Sequence, residues 1–421
     1  MSLRQKAIDT LLANDRGGFT IPTSGLYPHQ WNWDSAFVAL GIATYDTDRA
    51  WAEVTSLLEG QWPDGMVPSI IFRSDDPDYF PGPSRWGVTP GPIPSTGVSQ
   101  PPVLATVVRH LTPDAPDRRA AVFDALLRWH RWWHDARSVD GVVCTVHPWE
   151  TGRDNSPDWN IGLAAMESAP DLAPYTRMDN KHVDATYRPT QDQYDKYLTI
   201  VQFGERIGWD QRRLTDEGPF LMADPTIHFV LLRANRDLLA MAQSLGKDAE
   251  TCMEVQGWID TGLAATDTFW NDDLGAFCAR DIRSGALTAG FNNSSALCFY
   301  ADAGTPDQRA RTVANLRRIA GKVAHMLPSW DPDDPAFEPQ RYWCGPVWPQ
   351  MNYMTALGLD EQGEPDLAAQ LRDGLIRAIE ASGFWECFNP LTGAGCIGAN
   401  FSWTAAVWLS WNADPRARQA V

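Results

Sequence analysis

Trp149-Glu150-Thr151-Gly152-Arg153-Asp154-Asn155-Ser156-Pro157-Asp158-Trp159 packs three carboxylates and two indoles into eleven positions among turn-forming residues. Neither a helix face nor a strand needs that combination to fold. A second acid among aromatics stands near the C-terminus, in Phe384-Trp385-Glu386-Cys387-Phe388-Asn389-Pro390-Leu391-Thr392-Gly393. Two carboxylates in aromatic-lined loops suit glycoside hydrolysis, where one acid protonates the leaving oxygen and a second carboxylate activates water or attacks the anomeric carbon. Asp154 is the candidate general acid, because burial beside Trp149 and Trp159 would raise its pKa. Arg153 would oppose that shift if it pointed inward. Glu150 and Asp158 read as structural acids. Glu386 is the candidate base; 232 positions separate it from Asp154, so only the fold can bring the two together. The plainer alternatives are a turn-capping Asp154 and a solvated Glu386 at the end of a helix over 363–382.

Two further clusters offer walls for a sugar. Tyr27-Pro28-His29-Gln30-Trp31-Asn32-Trp33-Asp34 ends where a helix begins, so Asp34 is either an N-cap, a grip for sugar hydroxyls, or both. Arg341-Tyr342-Trp343-Cys344-Gly345-Pro346-Val347-Trp348-Pro349 places aromatics ahead of another helix. His130 and His134 have the spacing of two metal ligands on one helix face, but no third ligand accompanies them, which favours a plain surface helix. His182 with Asp184 is a weaker pair. No GxSxG elbow, glycine-rich phosphate loop or cysteine-nucleophile signature is present.

Composition narrows the class. Twenty Trp in 421 residues exceed what a core needs, and an indole pairs a flat apolar face with an N–H donor, as a pyranose binder should. A net charge of -18 argues against nucleic acid or an anionic membrane as partner, leaving a small molecule. Seven Cys without CxxC or zinc spacing read as reduced thiols in a cytoplasmic protein. No apolar run approaches the length of a membrane span, and residues 1–15 lack a signal-peptide core. The two glycosylation sequons, at Asn293 and Asn400, read as chance matches.

Helical periodicity recurs over 35–44, 48–60, 101–111, 117–135, 190–207, 225–245, 249–269, 307–320, 346–358, 363–382 and 402–412. Long loops rich in Pro, Gly and Trp separate these segments, notably 16–34, 61–98, 138–188, 271–291 and 322–348, and the candidate catalytic motifs fall in or beside loops between helices. The expectation is an all-α (α/α)6 toroid in one catalytic domain, 1–421, with loop insertions around 61–98 and 138–188 over one mouth. Val142-Val143-Cys144-Thr145-Val146 is the most strand-like segment.

Trp31-Asn32-Trp33-Asp34, Ser99-Gln100-Pro101-Pro102, Thr151-Gly152-Arg153-Asp154-Asn155-Ser156-Pro157, Tyr342-Trp343 with Gly345-Pro346-Val347-Trp348, and Glu386 followed by Asn389-Pro390-Leu391-Thr392-Gly393 together resemble glycoside hydrolase family 63. The match is to its bacterial branch of mannosylglycerate and glucosylglycerate hydrolases. The resemblance spans about 27–411. It implies inverting hydrolysis of an α-glycoside with no metal or organic cofactor, Asp154 as acid and Glu386 as base. Inversion requires the two carboxyls roughly 6.5 to 9.5 Å apart. The resemblance also implies that Tyr27, Trp31, Trp33, Asp34, Gln100, Trp343 and Trp348 line the sugar pocket, and Tyr342 and Arg153, the latter beside the acid, are expected to contact substrate with them. Arg188 and Tyr194 would hold a glycerate carboxylate. Position 344 is Cys where relatives often carry Arg, and 401 is Phe where glycerate hydrolases offer a polar residue. A trehalase-like or α-glucooligosaccharide activity stays open on the same toroid. So do an epimerase using His29, His130, His182, His228 or His325, and a catalytically silent sugar binder.

Overall fold

The computed structural model describes residues 2–413 apart from 75, 113, 114 and 182. Six helices, Asn32–Ile42, Leu104–Leu111, Pro225–Ser244, Leu297–Tyr300, Pro349–Glu361 and Ser402–Ala413, each pack on the next, and the last packs on the first. This closes an inner ring. Leu3–Asn14, Thr47–Leu58, Pro116–Ala136, Ala249–Ala265, Pro306–Ala320 and Pro365–Ser382 alternate with them along the chain. Most of these rest on an inner neighbour, for example Ala249–Ala265 on Pro225–Ser244 and Pro365–Ser382 on Pro349–Glu361. The result is an (α/α)6 toroid.

The ring explains the composition of its members. Every residue of Asn32–Ile42 except Leu40 is buried, as a helix walled on all sides requires. A Cβ on Gly41 would lie 2.3 Å from Ala406 Cα, so this glycine permits the close crossing of Asn32–Ile42 and Ser402–Ala413 that shuts the ring. Outer helices begin with explicit caps. Thr305 and Gln308 form a capping box, and Asp46 and Asp248 accept backbone N–H groups of their first turns.

All eleven segments expected to be helical are helical, but not all belong to the ring. Gln191–Arg206 directly follows the 138–188 insertion and packs on the one-turn helix Pro83–Trp86. Its place in the alternation is taken by Leu3–Asn14 and the single-turn Leu297–Tyr300, neither of which has a strong apolar stripe over a full window. The strand-like segment forms Val142–Thr145, paired with Ser138–Val139 and Met222–Ala223 in a four-stranded antiparallel sheet completed by Arg280–Asp281. Among the described residues no helix is long and apolar enough to cross a membrane.

Candidate active site

The long loops converge on a cavity of about 1040 Å³, counted to its open mouth. Tyr27, Trp31, Trp33, Asp34, Gln100, Asp154, Arg188, Tyr194, Tyr342, Trp348 and Glu386 all line it. Of the residues expected in the site, Arg153 and Trp343 do not reach the cavity, and each has a different task.

The turn carrying Asp154 is built to aim one side chain inward and the next outward. Pro148–Thr151 is a 3-10 turn whose start is fixed by the Trp149 N–H donating to His147 Nδ1 at 2.9 Å. Gly152 follows at φ +70°, and a Cβ there would meet the Trp33 ring at 2.8 Å. Glycine is therefore needed both for the left-handed turn and for the approach of the cavity wall. Arg153 then turns away. It is fully buried, pairs with Asp158 and Asp224 at 2.8 Å each, and lies over the Trp159 ring. The expectation of a substrate-facing Arg153 is corrected on this point: two buried carboxylates claim its guanidinium. Asp154 faces the cavity while its carbonyl accepts the Tyr197 hydroxyl. Asn155 Oδ1 accepts the Trp343 N–H at 2.9 Å, and the Cys344 thiol donates to the Asn155 carbonyl at 3.3 Å, so the acid turn is stitched to the 342–344 turn. Cys344 thus serves the scaffold. Burial raises Asp154 to about 6, with Arg188 pulling the other way. Glu150 is buried against Arg137 and accepts the amides of Ser99 and Val146, the structural role expected of it.

Glu386 is not a solvated residue at a helix end; it is 1% exposed, on the strand Trp385–Phe388. That strand pairs with Gly395–Ala399 so that Cys387 faces Cys396 and Trp385 faces Ala399. Ile397 and Gly398 thus both stand opposite Glu386, a bulge with Ile397 at φ +68° that re-aims the strand at the cavity. Its carbonyl is held by Trp403 Nε1 at 3.0 Å. Oε1 accepts the Tyr27 hydroxyl at 3.1 Å, whereas Oε2 is buried with no hydrogen-bond partner among the described residues. An unpaired buried carboxylate oxygen beside a cavity is suited to accept a proton from a bound water. Burial pushes Glu386 up to about 8, and Arg188, Tyr27 and the nearby Gly398 amide pull it back.

Aromatic and polar walls complete the pocket. Trp343 is 1% exposed and lies flat beneath Trp348, centroids 3.8 Å apart and planes within 4°. The expected sugar-binding Trp343 is therefore the backing of a wall whose cavity-lining member is Trp348, because only one of two stacked rings can face the cavity. Gln100 Oε1 accepts the Trp33 N–H at 3.3 Å, leaving the amide nitrogen as a donor to ligand. Asp34 sits in the first turn of its helix; the N-cap is Trp31, so the side chain is free for the cavity. Burial, then the charge of Glu386, holds it well above the usual carboxylate range.

Arg188 is the cavity's cation. Its guanidinium lies over the Tyr342 ring, 4.3 Å from the centroid, and donates through Nε to Asp179 at 3.1 Å and through Nη1 to the Tyr27 hydroxyl at 3.3 Å. Arg177 grips the other side of Asp179. The Tyr194 ring lines the site under Arg177, and its hydroxyl donates to the Phe80 carbonyl at 3.4 Å. Asp179, Tyr79, Phe80 and Trp403 also line the cavity and carried no separate sequence signal; the first three lie in insertion loops, where function was expected only in general terms. Phe401 forms an apolar edge against Tyr27, at 5.9 Å and 78°.

The competing chemistries find less support. His130 is fully buried and bridges through Asn235 to His134, which stacks on Trp258. The pair is thus interior and not on a surface face. Among the described residues no group of three His, Cys, Asp or Glu could hold a metal. His29, His130, His228 and His325 do not line the cavity, and His182 lies outside the described residues.

Comparison with known proteins agrees with this geometry. The model of the mannosylglycerate hydrolase MGH1-like glycoside hydrolase domain matches residues 27–404. A mannosylglycerate hydrolase of Thermus thermophilus is 43% identical over 418 residues, covering 96% of this chain and 99% of the relative. A glucosylglycerate hydrolase of Mycolicibacterium hassiacum is 31% identical, covering 97% of each. The crystal structure of a family 63 mannosylglycerate hydrolase from Thermus thermophilus in complex with Tris and D-glycerate superposes with a TM-score of 0.93 at 41% identity, covering 98% of this chain and 100% of that one. The chain belongs to the MGH1-like glycoside hydrolase domain family and is a glycoside hydrolase of the family 63 type.

Proposed function

We propose that the protein hydrolyses the α-glycosidic bond of a small glycoside with an anionic aglycone, mannosylglycerate or glucosylglycerate, by an inverting mechanism. Two names support the aglycone: relatives are called mannosylglycerate and glucosylglycerate hydrolases, and one solved relative holds D-glycerate. The observation that carries the reading is the placement of Arg188 in the same cavity as Asp154 and Glu386. A guanidinium held over an aromatic ring, with N–H groups beyond those used by Asp179 and Tyr27, can bind a carboxylate with directional, charge-assisted bonds.

In this reading the non-reducing sugar lies against Trp33 and Trp348, with Asp34 and Gln100 on its hydroxyls and its aglycone toward Arg188 and Tyr194. Asp154 protonates the glycosidic oxygen. Glu386 Oε2 takes a proton from water, which attacks the opposite face of the anomeric carbon. With Asp154 near 6 and Glu386 near 8 in the empty cavity, the two acids carry one proton between pH 6 and 8. That proton rests first on Glu386. The reactive form, with the proton on Asp154, is then the minority form, favoured as substrate oxygen meets Asp154 and water meets Oε2. The seven free cysteines, six of them buried, support a reducing compartment, and we place the enzyme in the cytoplasm as one catalytic domain.

The test is turnover of purified protein on α-mannosides and α-glucosides with glycerate, methyl and sugar aglycones. A kcat/KM for a glycerate glycoside at least tenfold above every neutral aglycone supports the reading; preference for trehalose or kojibiose refutes the anionic aglycone.

A further inference from the structure

Tyr27 stands between the cavity's cation and its buried base, and its hydroxyl is fully committed. A phenol has one proton and two acceptor sites. With Glu386 ionised, the form in which it acts as base, the proton goes to its Oε1 at 3.1 Å, since an ionised carboxylate can only accept. Arg188 Nη1, which can only donate, occupies one acceptor site at 3.3 Å. The Tyr342 hydroxyl, 3.2 Å away, must then donate to the other. In that form the polarity of the chain is fixed as Asp179, Arg188, Tyr27, Glu386, with every hydrogen bond pointing toward a carboxylate at one end or the other. Hydrogen bonds in series polarise one another in a low-dielectric interior. The groups facing Glu386 are Tyr27, Tyr342, Arg188, Asp154 and Asp34 around the cavity, with Cys387 and Cys396 on its own hairpin. Arg188 is the one cation among them.

We propose that Tyr27 is a positioning residue that relays occupancy of Arg188 to the base, so that a seated aglycone carboxylate strengthens Glu386 as a proton acceptor. The physical step is short. A carboxylate on Arg188 compensates the guanidinium charge and draws its N–H groups toward the ligand. The Arg188 bond to Tyr27 weakens, the phenol becomes a poorer donor, and Glu386 loses part of the stabilisation of its charged form. A more basic Glu386 abstracts the water proton more readily. An anionic aglycone would thereby raise kcat as well as lower KM, whereas a neutral aglycone would leave the base in its weaker state. This gives the pocket a specificity device beyond simple affinity, with Asp179 and Arg177 fixing the guanidinium so that its remaining donors face the ligand.

The inference rests on reading Arg188 as the anion seat, yet its test does not require turnover. Protein labelled with 13C at the glutamate side-chain carboxyl is titrated by NMR, the Glu386 signal being assigned by its loss in Glu386→Gln. Tyr27→Phe should raise the Glu386 midpoint by about one to two pH units, the worth of one hydrogen bond to a charged group. Saturating D-glycerate should raise the midpoint in the wild type, and most of that rise should vanish in Tyr27→Phe and in Arg188→Gln. A glycerate-induced rise undiminished in Tyr27→Phe would mean the charge acts through space, which overturns the relay. No rise in the wild type overturns it as well. Failure of the glycosidase reading would show separately, as absence of turnover on every glycoside with the titration unaltered.

Discussion

Replacing Arg153 with Met removes a guanidinium from a site where it, Asp158 and Asp224 are all fully buried. The two acids are not equally exposed to the loss. Asp158 keeps Thr288, Asn292 and Ser156 as donors. Among the described residues Asp224 keeps only the Thr226 amide, on Oδ1, and its Oδ2 has no hydrogen-bond partner even now. Breaking a buried pair from one side costs about 3 to 5 kcal/mol, most of it from the stranded charge. For a chain of 421 residues the unfolding entropy is about 0.9 kcal/mol per kelvin, so a 4 kcal/mol loss lowers Tm by roughly 4 to 5 °C. Adding Asp224→Asn should recover much of that loss, because it removes the stranded charge. The cost should also be smaller at pH 5 than at pH 8, since burial already raises the Asp224 pKa and losing Arg153 raises it further. Scanning calorimetry of the single and double variants at both pH values measures all three effects, with KM measured beside them. A variant that keeps the wild-type Tm and binds substrate poorly would show that Arg153 serves the ligand, and the argument that it pins the acid turn would be wrong.

Other consequences are as direct. The kcat/KM profile should be bell-shaped, rising through about pH 6 and falling through about pH 8. Both limbs are set by the number of protons on the pair, not by which acid holds the last one; a flat profile across that range would contradict it. His228 is buried and neutral, its pKa pushed down by burial to about 3. The unfolded chain therefore takes up a proton first as pH falls below 6.5, and stability is lost from there down toward pH 3. His228→Gln should shrink the loss of unfolding free energy between pH 7 and pH 5 by about 2 kcal/mol, read from urea melts at the two pH values. Trp343→Ala should cost about 3 to 5 kcal/mol and raise KM by loosening Trp348, whereas Trp343→Phe should retain most of both.

The site was more legible than the ring that carries it, for a physical reason. Asp154, Glu386, Asp34 and the aromatic clusters combine residue types that folding alone does not demand, so their chemistry shows in the chain. Arg153 misled because adjacency to an acid says nothing about direction: Gly152 in the left-handed region reverses the chain, and Asp158 and Asp224 supply a buried destination. Trp343 misled because stacking is a tertiary fact, and one indole of a stacked pair looks like the other in sequence. Asp179 was silent because its role depends on Arg177 and Arg188 meeting across a loop. The helices were found by period, but Leu297–Tyr300 spans one turn and holds its place in the ring through its neighbours. Gln191–Arg206 has a full apolar stripe and a capping box yet stands outside the alternation, since periodicity reports burial of a face and not which layer covers it.

The central claim is that Asp154 and Glu386 act on opposite sides of one glycosidic bond. Proton NMR of the first turnovers of mannosylglycerate tests it most directly, run on wild type, Asp154→Ala and Glu386→Ala. The account predicts β-mannose as the first product from the wild type and loss of turnover in both variants. Release of α-mannose, or turnover surviving in either variant, would contradict it.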